Sequence, residues 1–275
     1  MSAVMAALIG VLVTPAWAQQ LPAELQNPNV EIVYKEPRSA AFKPIAERVK
    51  QRRALEQLRV FMAPLRLPRK LTINVDECGA PMREYQPQGP VIICYEVIDQ
   101  IEKIAAKADA NVRERVLVGA FIQAAFHETA HAVFDMLQVP VWGRANDAAD
   151  RLAAFIMVNF GEDVAMQTIL GTADFFRLSG RTWTGSEFAE VNSPDAQRFF
   201  NYLCIAFGGA PKTFDFLVNP KEQDEQLLPD RRAERCSGEY AQVRMAFNLR
   251  IMPHVDPDIL VKVRAIQWLL PINGR

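Results

Sequence analysis

The chain has 275 residues, of which 50% are hydrophobic and 23% charged, the composition of an ordinary globular protein. Its formal net charge of −1 offers no cationic surface for nucleic acid and implies no acidic substrate. Basic residues concentrate at 48–53 and 66–70, but apolar residues interrupt both runs, and solvated faces account for them.

Residues 1–18 carry no charged side chain and end in Ala16-Trp17-Ala18, the small-x-small form of a secretory cleavage site. The run is short for a membrane span, so a cleaved signal peptide is expected, with an uncleaved anchor as the alternative. The absence of Lys or Arg near Met1 departs from the usual leader and would fit a start inside a longer one. Residues 19–43 read as an extended lead-in. Pro44 opens an amphipathic helix that ends at Pro64. Residues 71–75 alternate like a half-buried strand, 91–95 read as a second strand, and the two are expected to pair antiparallel across a Pro/Gly-rich connection. Helices are expected over 96–108, over 111–137, which Pro140 and Gly143 close, and over 145–161. Residues 174–190, with interspersed Ser, Gly and Thr, suggest a loop lining a cleft. Further helical patterns cover 194–207, 229–249 and 257–270, the last closing at Pro271. The plan is α+β and predominantly helical, with one domain over 19–275.

Four cysteines agree with an oxidising compartment. Sequence alone does not choose among three pairings. The local one, Cys78 with Cys94 and Cys204 with Cys236, is the expectation, since no C-x-x-C spacing suggests a cysteine zinc site.

The chemistry concentrates in Phe126-His127-Glu128-Thr129-Ala130-His131-Ala132. Two imidazoles at i and i+4 share a helix face and can share one ion, while Glu128 reaches a water instead of the ion. Two of the chain's three histidines stand here, inside an apolar segment where buried polar groups need a partner. His127 and His131 are therefore expected as metal ligands and Glu128 as the catalytic base. A catalytic zinc needs a third ligand. No histidine follows at short spacing, so the helix opening Gly143-Arg144-Ala145-Asn146-Asp147-Ala148-Ala149-Asp150 is the place to look.

Residues 127–150, HETAHAVFDMLQVPVWGRANDAAD, resemble an exported bacterial family known as putative metallopeptidases, of undefined function. The likeness extends to Cys78-Gly79-Ala80-Pro81, Ile93-Cys94-Tyr95-Glu96, Gln197-Arg198-Phe199-Phe200-Asn201 with Cys204, and Arg232-Ala233-Glu234-Arg235-Cys236. It covers about residues 70–250 and implies a zincin-like fold, gluzincin-like in its ligands, with metal-dependent peptide hydrolysis. In many zinc peptidases the second helix reads E-x-x-A-D, with Glu as ligand and Asp holding a histidine. Here Asn146 stands where an acidic residue is usual and is a poor zinc ligand. Asp147 or Asp150 is then expected to ligate, Asp150 otherwise orienting a histidine; both could instead simply charge a helix N-terminus.

Three further candidates are weaker. Gly171-Thr172-Ala173-Asp174 matches the start of a zinc-ligand motif whose continuation is missing. His254 could face an oxyanion but reads as surface. Asp135 continues the His127–His131 face yet reads as a solvent-facing carboxylate. The expected function is a zinc peptidase acting on peptide or protein substrates, periplasmic or secreted, with Zn2+ preferred to manganese or iron on the motif's chemistry alone. No nucleic acid and no stable membrane span after cleavage are expected. The alternative is a non-catalytic zinc-binding or interaction protein on a degenerate scaffold; a metal-free envelope protein is the third reading.

Overall fold

The computed structural model describes residues 25–79, 85–180, 189, 191–222 and 224–266. The expected signal peptide, residues 1–18, lies outside them, as do most of the expected cleft loop beyond Gly180 and the end of the last helix.

A small sheet forms from β1 (Val30–Tyr34), β2 (Leu71–Asp76) and β3 (Val91–Cys94), in the order β1-β2-β3. Both pairings are parallel, Val30 opposite Leu71 and Ile73 opposite Val91. This corrects the antiparallel expectation and adds β1, which lies inside the expected lead-in. The direction follows from the connections. Two helices, α1 (Lys43–Gln51) and α2 (Ala54–Phe61), carry the chain from β1 back to the start of β2. The stretch 77–90 is long enough to do the same for β3. The Cys78–Cys94 disulfide belongs to this arrangement: Asp76 pairs with Cys94, so both cysteines stand at the same end of the sheet. An antiparallel turn would have put Cys94 at the far end of its strand.

The single helix expected before Pro64 is two, because Arg53 takes a left-handed conformation (φ 50°) between them. After β3 come α3 (Tyr95–Ala105), the long α4 (Ala110–Met136), α5 (Ala145–Val158) and α6 (Glu162–Ser179). They are followed by α7 (Asp195–Gly209), the short α8 (Asp230–Ala233), α9 (Cys236–Arg250) and α10 (Pro257–Arg264). The fold is predominantly helical, with α4 at its centre, packed against α3, α5, α6 and β3.

Helix α6 was not anticipated, and its residues explain why. Its buried face includes Thr168, Gly171 and Thr172, small or polar types that mute an apolar stripe. They are small because α4 and α6 nearly touch. A Cβ on Gly171 would lie 2.0 Å from the Arg115 carbonyl oxygen, and one on Gly119 would lie 2.6 Å from Thr172 N. Thr172 Oγ1 donates to the Gly119 carbonyl at 2.9 Å. Asp174 pairs with Arg115 and Arg177. The Gly171–Asp174 run is therefore a helix-crossing device, distant in role from any metal.

Cys204 on α7 and Cys236 at the start of α9 form the second disulfide, in keeping with local pairing. Among the described residues no helix is long and apolar enough to cross a membrane.

Candidate metal centre

His127 and His131 sit one turn apart on α4, and their Nε2 atoms are 3.3 Å from each other. The reason both point the same way begins at the opposite side of the first ring. His127 Nδ1 lies 2.8 Å from Asp150 Oδ1, an α5 carboxylate only 4% exposed. Burial alone would push that carboxyl up, but Arg198 and His127 beside it hold it well below the usual carboxylate range. An ionised carboxylate only accepts, so His127 Nδ1 carries a proton and donates it to Asp150, which leaves Nε2 as the ring atom turned toward His131. Burial, with His127 second, lowers the His131 pKa to about 4, so this ring is neutral near pH 7.

The two rings thus bring their Nε2 atoms together. Two nitrogens each bound at 2.0–2.1 Å to a tetrahedral ion would stand about 3.3 Å apart. The pair fits a zinc-sized cation without rearrangement.

Asp150 is held by four side chains. Arg198, on α7, donates through Nε to Oδ2 at 2.7 Å and through Nη2 to Oδ1 at 2.9 Å. Gln123 Nε2 donates at 3.1 Å, and the Tyr202 hydroxyl lies 3.2 Å away. Arg198 also lies over the Phe176 ring, 4.3 Å from its centroid. A buried charge persists only when paired and hydrogen-bonded in this way. With both oxygens engaged and facing the outer side of His127, Asp150 orients the His127 ring and does not reach the Nε2 pair. Asp147 accepts from the buried Ser193 hydroxyl at 2.6 Å and is not among the cleft-lining residues. The structure therefore brings neither expected acidic ligand to the Nε2 pair: at the start of α5, Asn146 lines the cleft, and Asp147 and Asp150 do not.

What it brings there is Asn146, whose side chain is within hydrogen-bonding reach of His131. Asn146 Nδ2 donates to Asn192 Oδ1 at 2.9 Å. Among the described residues, the three His, Cys, Asp or Glu donors close enough to share an ion are Cys78, Cys94 and Glu96. The two cysteines there are oxidised to a disulfide, and Glu96 accepts from the Cys78 and Gly79 amides, so that cluster is structural.

The histidines open into a cleft of about 520 Å³. Its walls are β3 (Ile92, Ile93, Cys94), α4 (Ala124, His127, Glu128, His131) and the start of α5 (Arg144, Ala145, Asn146), with Tyr85, Val97, Val191 and Asn192. Glu128, next to His127, is thus on the same space. Asp135 is no free surface carboxylate: it accepts from Arg69 at 2.7 Å, the Tyr85 hydroxyl at 2.9 Å and Gln88 N at 3.0 Å, pinning the cleft-lining Tyr85 to α4. His254 lies in a turn of 3-10 helix, its carbonyl accepting from Arg66 N, and takes no part in the cleft.

Sequence reasoning assigned no role to Arg198, Tyr202, Gln123 or Asn192. For Arg198 and Tyr202 a signal existed, two polar-tipped side chains at i and i+4 that share one helix face. Asn192 had none.

No curated protein and no solved structure matches the chain. A family model does, over residues 34–249, a span that contains β2, β3, α4, α5, α7 and both disulfides. The chain belongs to the family described as "Putative metallopeptidase".

Proposed function

We propose that the protein is a zinc-dependent peptidase with a zincin-like site, exported to the periplasm or released, with 19–275 as one domain. The observation that carries this reading is the pair of Nε2 atoms 3.3 Å apart, one ring fixed by Asp150, opening beside Glu128 into a cleft. His127 and His131 would hold the ion. Asn146 would supply the third donor through Oδ1, since its Nδ2 is committed to Asn192. When bound, zinc supplies Lewis acidity that acidifies water and polarises a carbonyl. Glu128 takes the proton from the attacking water and returns it to the leaving amine. Asp150 keeps the His127 tautomer fixed, and Arg198 keeps Asp150 charged.

A peptide substrate is supported by the wall opposite α4. Among the described residues β3 has a neighbour on one side alone, so its outer edge offers backbone donors and acceptors along the cleft for an extended chain. Export is supported by two disulfides and by the leader-like residues 1–18.

The test is the metal content of the purified natural chain, of Glu128→Gln and of Asn146→Glu, beside hydrolysis of a peptide library. About one zinc per chain in all three, with cleavage abolished by Glu128→Gln and by chelation, is expected. A specific observation favours a second reading: a neutral amide occupies the acidic ligand position. Little zinc in the natural chain but one per chain in Asn146→Glu would establish a non-catalytic interaction protein on a peptidase scaffold.

A further inference from the structure

Helix α4 lines more than one cavity. His127 and His131 face the cleft, while Phe126, Thr129, Ala130 and Val133 line a second pocket of about 290 Å³ on another face of the same helix. That is space for roughly ten water-sized groups. Its remaining walls are mostly apolar, with Phe155 from α5, Phe247 from α9 and Ile251 beyond it. Among the described residues no acidic side chain lines it. Its charged lining residues are Arg244 and Arg264, both exposed. Neither forms an ion pair among the described residues; Arg244 leans toward the Tyr240 ring, 6.0 Å from its centroid. The pocket is also incomplete as it stands. Thr129 is 7% exposed, and its Oγ1 has no hydrogen-bond partner, a donor that a water or an oxygen of a guest would satisfy.

The same two helices, α9 and α10, carry further exposed apolar side chains. Met245 and Leu249 on α9 and Val261 on α10 are 60%, 67% and 69% exposed, and Arg250 and Lys262 stand beside them in sequence. An apolar chamber whose charged lining residues are two guanidinium groups is complementary to one chemistry, an apolar chain ending in an anion.

We propose that this pocket binds a single-chain anionic amphiphile of the fatty-carboxylate class, its chain among Phe126, Phe155 and Phe247 and its carboxylate on Arg244 and Arg264. The site is separate from the histidine cleft and needs no metal. The two share α4, so occupancy of one bears on the helix that shapes the other.

The test is calorimetric titration of the full chain with dodecanoate, below its micellar concentration, against dodecyltrimethylammonium of equal chain length. One saturable dodecanoate site per chain is expected, with affinity at least about tenfold above the cationic probe. The double variant Arg244→Glu, Arg264→Glu should weaken dodecanoate about tenfold or more and bring the two probes together. Asn248→Trp, an exposed wall position, should block both probes. Melting curves matching the natural chain establish that the variants fold. No saturable binding would overturn the proposal, and is also the result if residues 267–275 fill the pocket. Equal affinity for both probes, or an unchanged affinity in the charge-reversed variant, would overturn it as well.

Discussion

The two imidazoles of the candidate centre are held by opposite kinds of structure. On the His127 side, Asp150 is buried and receives Gln123, Arg198, Tyr202 and the ring itself. Arg198 and Tyr202 come from α7, which the Cys204–Cys236 disulfide ties to α9. On the His131 side stands Asn146, a neutral amide at a helix start, bonded to Asn192 in the segment before α7. One half is charged and multiply bonded within the helical core. The other is a single amide–amide bond on the wall of the cleft. On the proposed function the contrast separates two jobs: the charged half would fix a ring whatever occupies the cleft, whereas the neutral half would set how strongly a cation is held there.

The largest effect is expected where neither half is touched. Glu128→Gln should keep zinc content and melting temperature while lowering kcat about 10²–10⁴-fold; hydrolysis at the natural rate would remove Glu128 from the mechanism. Next comes the charged half. Arg198→Met leaves Asp150 buried without its cation, a loss of about 3–5 kcal/mol. For a chain of this size that corresponds to a fall of roughly 6–20 °C in melting temperature. Metal affinity should fall with it, because His127 loses its fixed tautomer. A variant melting like the natural chain would show that the pair is dispensable. Replacing Cys204 and Cys236 by Ala opens a loop with sequence separation 32. The expected cost is about 3–4 kcal/mol on a chain-entropy account, read from denaturant unfolding.

How much of this was legible beforehand divides along the same line. His127, Glu128 and His131 were readable because helical spacing dictates which side chains share a face. The local disulfides followed from cysteine placement. Asp150 was seen as ligand or orienter, and one dimension of sequence could not decide, because the answer lay in Arg198, 48 residues away. The strand direction was misread although Cys78 and Cys94 contained the clue: a bridge between strand ends in register requires the strands to run alike. Helix α6 was hidden because its crossing with α4 demands Gly171 and Thr172, types that spoil an apolar stripe. Asn192 was invisible, since an asparagine in a loop acquires a role only when the fold sets another amide before it.

That residue gives the sharpest test of the comparison. Asn192→Ala removes the acceptor that fixes the Asn146 amide and leaves the buried half intact. Zinc affinity is expected to drop about 10–100-fold, the scale of outer-shell partners, with stability unchanged to within about 0.5 kcal/mol, as at most surface positions. Arg198→Met should move both quantities, so a plot of zinc affinity against melting temperature separates the two variants. Should Asn192→Ala bind zinc as tightly as the natural chain, Asn146 is no donor, and the ion is held by the histidines with ligands from the solvent. Should it lose stability as Arg198→Met does, the division of labour is wrong: the amide pair would then be part of the scaffold, and the weaker hold on the cation would have to come from somewhere other than a movable third donor.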